Sequence, residues 1–147
     1  TLRKQGDTVS LQANLYRQLG TGQLDEAKKL MRALIADVPY SNKKLASMDM
    51  EERYRLIIST ILQALGVRVE VERMLATGRI DLVAWLSRYI YVIELKLSNN
   101  GGLAAAEQQI RSCGYTEPFK ADKRRVVGLA VELDSEGKGL IDWKVVE

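Results

Sequence analysis

The 147-residue chain contains no histidine, one cysteine, one phenylalanine and two prolines. Without histidine there can be no His-based zinc site, no Ser-His-Asp triad and no histidine general base. Cys113 stands alone, so the chain forms no internal disulfide and carries no CxxC metal or redox motif. A single free thiol suits a reducing cytoplasm, which is the expected location. No apolar run approaches the roughly 18–20 residues needed to span a membrane, and no secretory signal is recognisable. A membrane partner is therefore not expected. A strongly basic tail is also missing. Basic and acidic side chains number 8 and 5 in residues 1–50, 7 and 6 in 51–100, and 7 and 8 in 101–147. The net charge of +3 points only weakly to an anionic partner, and without a basic tail a tight, sequence-indifferent coat on nucleic acid is not expected. Any hydrolysis has to run on carboxylates, lysine and an oxygen-loving metal such as Mg²⁺ or Mn²⁺.

What is present describes an ordinary globular domain large enough to bury a core, with 46% hydrophobic and 28% charged residues. The chain opens on Thr1 rather than Met and is read as a piece of a longer polypeptide. Its densest basic clusters, Lys120/Lys123/Arg124/Arg125 and then Lys43/Lys44, are read as solvated turns.

Periodicity predicts helices over 9–19 and 24–37, the second with an apolar stripe of Ala27, Leu30, Met31, Leu34 and Ile35. Pro39 ends it, and Ser41 to Asp49 reads as a polar connector. These first 45 or so residues carry no chemical motif and read as an accessory helical hairpin, or the tail of an upstream domain. A third helix is expected from Met50 to Leu65, stopped by Gly66. Glu51 shares its buried face with Tyr54 and Ile58, whereas Glu52 points elsewhere. Val67, Val69 and Val71 alternate with Arg68, Glu70 and Glu72 as a half-buried strand, whose two acids read as a solvated face with Glu72 the nearer to any site. Strands 79–85 and 89–97 follow, then a helix over 103–113 capped by Gly114, and strands 125–134 and 141–146. The fold class is α/β, a mixed central sheet flanked by helices with an N-terminal helical segment; the domain division is 1–45 and 46–147.

One constellation carries chemistry. Asp81 lies in Gly-Arg-Ile-Asp-Leu-Val, and Glu94 and Lys96 lie in Tyr-Val-Ile-Glu-Leu-Lys. Strand alternation puts Glu94 and Lys96 on the face opposite Ile93 and Leu95, and the short connection at 86–89 makes the two strands hairpin neighbours. Charges on a mostly apolar strand cost free energy unless they are paired, solvated or bound to metal. Two carboxylates and a lysine converging on one spot suit metal-dependent phosphodiester cleavage. The alternative for Glu94 and Lys96 is an ordinary ion pair on a solvated sheet face. Arg79 reads as a partner for an acid on its own face, and Tyr115, Trp85 and Trp143 read as packing residues.

The ordered set resembles the PD-(D/E)XK nuclease superfamily. More narrowly, it is similar to the nuclease-like domain C-terminal to an AAA-ATPase-like domain in bacterial proteins. The resemblance runs from Glu51 and Tyr54 through Gly78–Val83 and Tyr91–Leu97 to Gln109-Ile110, Gly114-Tyr115 and Asp142-Trp143-Lys144. Ile80 stands where the superfamily's proline would be, a position that shapes the strand entry and performs no chemistry. The resemblance implies a restriction-endonuclease-like fold with Asp81, Glu94, Lys96, Gln109 and Glu51 as the catalytic set. Asp81, Glu94 and the Leu95 backbone carbonyl would hold Mg²⁺ or Mn²⁺, and Lys96 would position or deprotonate the attacking water. Gln109 would reach the site or a phosphate, and Glu51 would act as an outer carboxylate. The implied partners are nucleic acid, DNA in preference to RNA, and an upstream ATPase-like domain of the same polypeptide. Two other readings stay open: a catalytically silent module binding nucleic acid or protein, and a regulatory appendage of the ATPase-like domain.

Overall fold

The computed structural model describes residues 5–39 and 43–147, with side chains from residue 9 to 39 and from 45 onward. Ser41, at the start of the expected connector, and the side chains of Lys43 and Lys44 lie outside the described residues. The elements run α1 (Gln5–Gly20), α2 (Leu24–Ala36), α3 (Lys43–Ala46), α4 (Met50–Ala64), β1 (Arg68–Leu75), β2 (Gly78–Trp85), β3 (Tyr89–Leu97), α5 (Gly102–Ser112), β4 (Arg125–Leu133) and β5 (Leu140–Val146). A 3-10 turn at Glu117–Phe119 separates α5 from β4. The expected polar connector and the segment between Gly114 and Arg125 thus each hold one short helical turn. Neither is long enough to show an apolar period, which is why periodicity passes over them.

The five strands lie in the order β1-β2-β3-β4-β5. All neighbours are antiparallel except β3 and β4, which run parallel with α5 as the crossover. Alternation on the central strands feeds two cores. Tyr91, Ile93 and Leu95 of β3 face α1, α2 and α4, through Leu15, Leu19, Met31, Ile35, Tyr54, Ile58 and Leu62. Ile90 and Val92 face α5 and the 3-10 turn, through Ala106, Ile110, Tyr115 and Phe119. The N-terminal hairpin therefore shares the larger core.

Polar contacts fix the helices against the sheet. Asp49 caps α4 by accepting from the Glu52 N–H at 2.8 Å. The buried Tyr54 hydroxyl donates to Asp134 O and accepts from Gly139 N, tying α4 to the β4–β5 turn. Lys28 of α2 pairs with Asp142 at 2.8 Å, and Trp143 Nε1 donates to Leu24 O at 3.2 Å. Trp143 is a packing residue, as expected.

One expectation is corrected at β1. Val71, read as part of the buried face, is 42% exposed, because β1 is the sheet's edge and core packing on it ends at Val69. Beyond Val71 the alternation itself turns over. Leu82 joins the larger core while Ile80, two residues earlier, joins the smaller one, as does Leu75 of β1. The reversal falls at Glu72, with φ of +56°, and at Asp81 opposite it. Ile80 is fully buried there, so apolar packing holds the strand entry where the superfamily's proline would stand.

Candidate active site

β2 and β3 pair in register from Trp85↔Ile90 to Leu82↔Ile93, and there the ladder stops. The next facing positions are Asp81 and Glu94, and both residues are 2% exposed. Where the ladder opens, the Leu95 N–H donates to Asp81 Oδ2 at 2.8 Å. The contribution of Leu95 seen here is thus its N–H. Lys96, half-buried and two residues along β3, brings Nζ to 3.9 Å from Glu94 Oε2. Among the described residues Glu94 Oε1 is buried and has no hydrogen-bond partner.

These groups open onto a cleft of about 560 Å³, lined by Glu51, Arg79, Asp81, Glu94, Lys96 and Gln109, with Gly78, Cys113 and Tyr115 among its walls. Glu51 reaches the cleft from the first turn of α4. Glu52 does not line it and lies exposed. Gln109 comes from α5, and its Nε2 donates to the Tyr115 hydroxyl at 2.9 Å. That hydroxyl in turn donates to Arg79 O at 3.1 Å. Tyr115 is fully buried, as a packing residue should be, yet it also orients Gln109 and closes the back of the cleft. Gly78 is required beside it, because a Cβ there would fall 2.6 Å from the Tyr115 oxygen.

The electrostatics are unusual for a carboxylate pair. Burial, and next the neighbouring Asp81 charge, push the Glu94 carboxyl up to about 9, with Lys96 pulling partly the other way. Behind Asp81 stands Arg55 of α4, a residue the sequence reading did not single out. Its Nη1 lies 3.6 Å from Asp81 Oδ1 and its Nη2 lies 2.6 Å from Glu72 Oε1. One signal pointed to it: Arg55 follows Glu51 by one helical turn and lies beside the apolar stripe of Tyr54, Ile58 and Leu62. Arg79 pairs with Glu72 at 3.8 Å, the same-face acid expected for it. The basic cluster after α5 is taken up largely in surface pairs, Lys120–Glu117, Arg124–Asp122 and Arg125–Glu147.

No group of three or more His, Cys, Asp or Glu side chains among the described residues is placed to hold a metal ion. The donors are two carboxylates at the end of a ladder, one of them with a buried oxygen lacking any partner. A hard cation that keeps several waters fits such a donor set better than one needing a full protein cage.

Residues 49–143 match the sequence family of the PD-(D/E)XK nuclease superfamily. The chain belongs to that superfamily. The five-stranded mixed sheet with flanking helices is its restriction-endonuclease-like fold. PD-(D/E)XK nucleases usually use divalent metals, and nucleic acid is the substrate the superfamily suggests. The chain is also similar to the "Uncharacterized protein in vnfD 5'region" of Azotobacter chroococcum mcd 1, at 25% identity over 134 residues. That match covers 89% of this chain and 26% of the relative, so the chain spans about a quarter of the curated protein it matches. No helix among the described residues is long and apolar enough to cross a membrane.

Proposed function

We propose that the chain is a metal-dependent phosphodiesterase domain acting on nucleic acid, DNA in preference to RNA. The observation that carries this reading is the Asp81/Glu94 pair at the end of the β2–β3 ladder, with a partnerless buried Glu94 oxygen and the Lys96 ammonium 3.9 Å away. Asp81, Glu94 and the Leu95 carbonyl hold the cation, Mg²⁺ or Mn²⁺. Bound there, it supplies positive charge to the attacking water and the scissile phosphate. Lys96 orients or deprotonates that water and offsets phosphate charge. Gln109, already presented by Tyr115, donates to a phosphate oxygen, and Glu51 accepts from a water at the cleft's outer wall.

The chain divides into a helical segment at 1–45 and a nuclease domain at 46–147, whose larger core the described helices α1 and α2 complete. Together they form part of a larger cytoplasmic bacterial protein with an upstream ATPase-like domain. The family resemblance and the greater length of the curated relative support this context. A silent binding module is the second reading, favoured by Arg55, which already sets a protein cation 3.6 Å from Asp81.

Incubation with single-stranded, duplex and branched DNA in Mg²⁺, Mn²⁺ or EDTA decides between them. Metal-dependent products that disappear in Lys96→Ala are expected. No product on any substrate would leave the binding module.

A further inference from the structure

The geometry points to Glu72 as a positioning residue for Asp81, acting through Arg55; this rests on Asp81 being the site carboxylate proposed above. Glu72 is the one described non-glycine residue with a positive φ, at +56°. Such a backbone is unfavourable for an L-residue, and a charged side chain in mid-strand offers no local reason to bear it. The strain falls at one register. Val71↔Leu82 and Arg73↔Ile80 pair normally, and Glu72 lies between them, opposite Asp81.

The carboxylate of Glu72 explains the placement. Its Oε1 holds Arg55 Nη2 at 2.6 Å, and its Oε2 lies 3.8 Å from Arg79 Nη1. The Arg55 side chain is 11% exposed, so its charge has little water to rely on. Its other nitrogen reaches Asp81 only at 3.6 Å. Neither Arg55 nor Glu72 lines the cleft. Glu72 thus draws the guanidinium back. Asp81 is left with one long contact to Arg55 and the short Leu95 N–H bond, facing Glu94. Without Glu72, the two-pronged guanidinium closes on Asp81 as a bidentate pair and pulls it off Leu95.

The Leu95 amide reports this directly and without metal. In EDTA, Glu72→Gln should speed hydrogen exchange of the Leu95 amide about tenfold while the Tyr91–Ile93 amides stay unchanged. In an Arg55→Met background the same substitution should add nothing, because the arm it restrains is gone. If Arg55→Met does not fold, Arg55→Lys, which lacks the fork, should reduce the Glu72→Gln effect in the same direction. Glu72→Gly should accelerate Leu95 exchange too, yet melt no lower than the unmodified chain, since glycine relaxes the φ. In parallel, Mn²⁺ affinity should drop about tenfold in Glu72→Gln. A Leu95 amide indifferent to Glu72→Gln, or an equal effect with and without Arg55, overturns the positioning role. A responsive Leu95 amide in a protein that binds no Mn²⁺ supports positioning and removes the metal-hydrolase reading instead.

Discussion

Asp81 and Glu94 face one another across the first unpaired register of the β2–β3 hairpin, and the Leu95 N–H freed there is spent on Asp81 at 2.8 Å. The end of a ladder is where two carboxylates can be buried together while backbone donors remain to hold one of them. Glu94 keeps one buried oxygen, Oε1, with no hydrogen-bond partner. That asymmetry makes it the group most responsive to a cation or a proton.

Metal should therefore stabilise the fold by mass action. At ten times the dissociation constant the gain is about 1.4 kcal/mol, or roughly 3–5 °C in melting temperature for a domain of this size. Asp81→Asn should abolish the shift. Its metal-free melt should change little, because relief of repulsion at Glu94 is set against loss of the 3.6 Å Arg55 contact. Thermal melts across millimolar Mg²⁺ and Mn²⁺ measure both. A preserved shift in Asp81→Asn would place the cation elsewhere.

A proton on Glu94 should stabilise the fold as metal does, and the two compete for the same carboxyl. The Glu94 carboxyl is raised from 4.5 to about 9, chiefly by burial. In the folded protein it keeps its proton where the unfolded chain has lost it. Its contribution to stability is complete below about pH 4.5 and declines as pH rises toward 9. In EDTA the unmodified chain should lose stability across this window. Glu94→Gln should remove that contribution, leaving a flatter profile and a higher melting temperature than the parent at pH 8. Urea midpoints at several pH values test it, and parallel profiles for the two proteins would contradict the assignment.

Gly78 and Tyr115 should show strong coupling. An alanine at 78 meets the Tyr115 oxygen at 2.6 Å, while the nearest ring carbons lie at 3.3 and 3.4 Å. Gly78→Ala should cost about 1–3 kcal/mol and dislodge the hydroxyl that holds Gln109. In a Tyr115→Phe background the same alanine should cost less. A double-mutant cycle by chemical denaturation measures the difference, and strict additivity would mean the contact is relieved elsewhere.

Removal of the N-terminal hairpin should disrupt the sheet. Leu15, Leu19, Ala27, Met31, Leu34 and Ile35 share the larger core with Tyr91, Ile93 and Leu129. The buried Tyr91 hydroxyl also donates to Leu19 O. A 46–147 fragment loses that cover and exposes apolar β3 and β4 surface. It should bind a hydrophobic dye and melt without a sharp transition. A cooperative melt would show that the hairpin is dispensable to the fold.

Much of this protein is written locally. Helical apolar periods and runs rich in β-branched residues marked the long helices and the strands, and a short hairpin connection was enough to bring Asp81 beside Glu94 and Lys96. Those features depend on neighbours within a few residues, so the sequence alone carries them. Rotation of α4 was legible for the same reason: Glu51 was placed on the face of Tyr54 and Ile58, and it is Glu51, not Glu52, that lines the cleft. Arg55 was legible only as a residue type, Tyr115 only as a packing residue, and Glu72 only as the β1 acid nearer the site. Their roles arise because the β1 and β2 alternation turns over at one register, and because α4 and α5 approach the sheet from opposite faces. A strained φ and a guanidinium shared by acids on two strands come from packing between distant segments. Strand periodicity read from sequence assumes an unbroken alternation, so only the tertiary structure could place these three residues around Asp81 and Gln109.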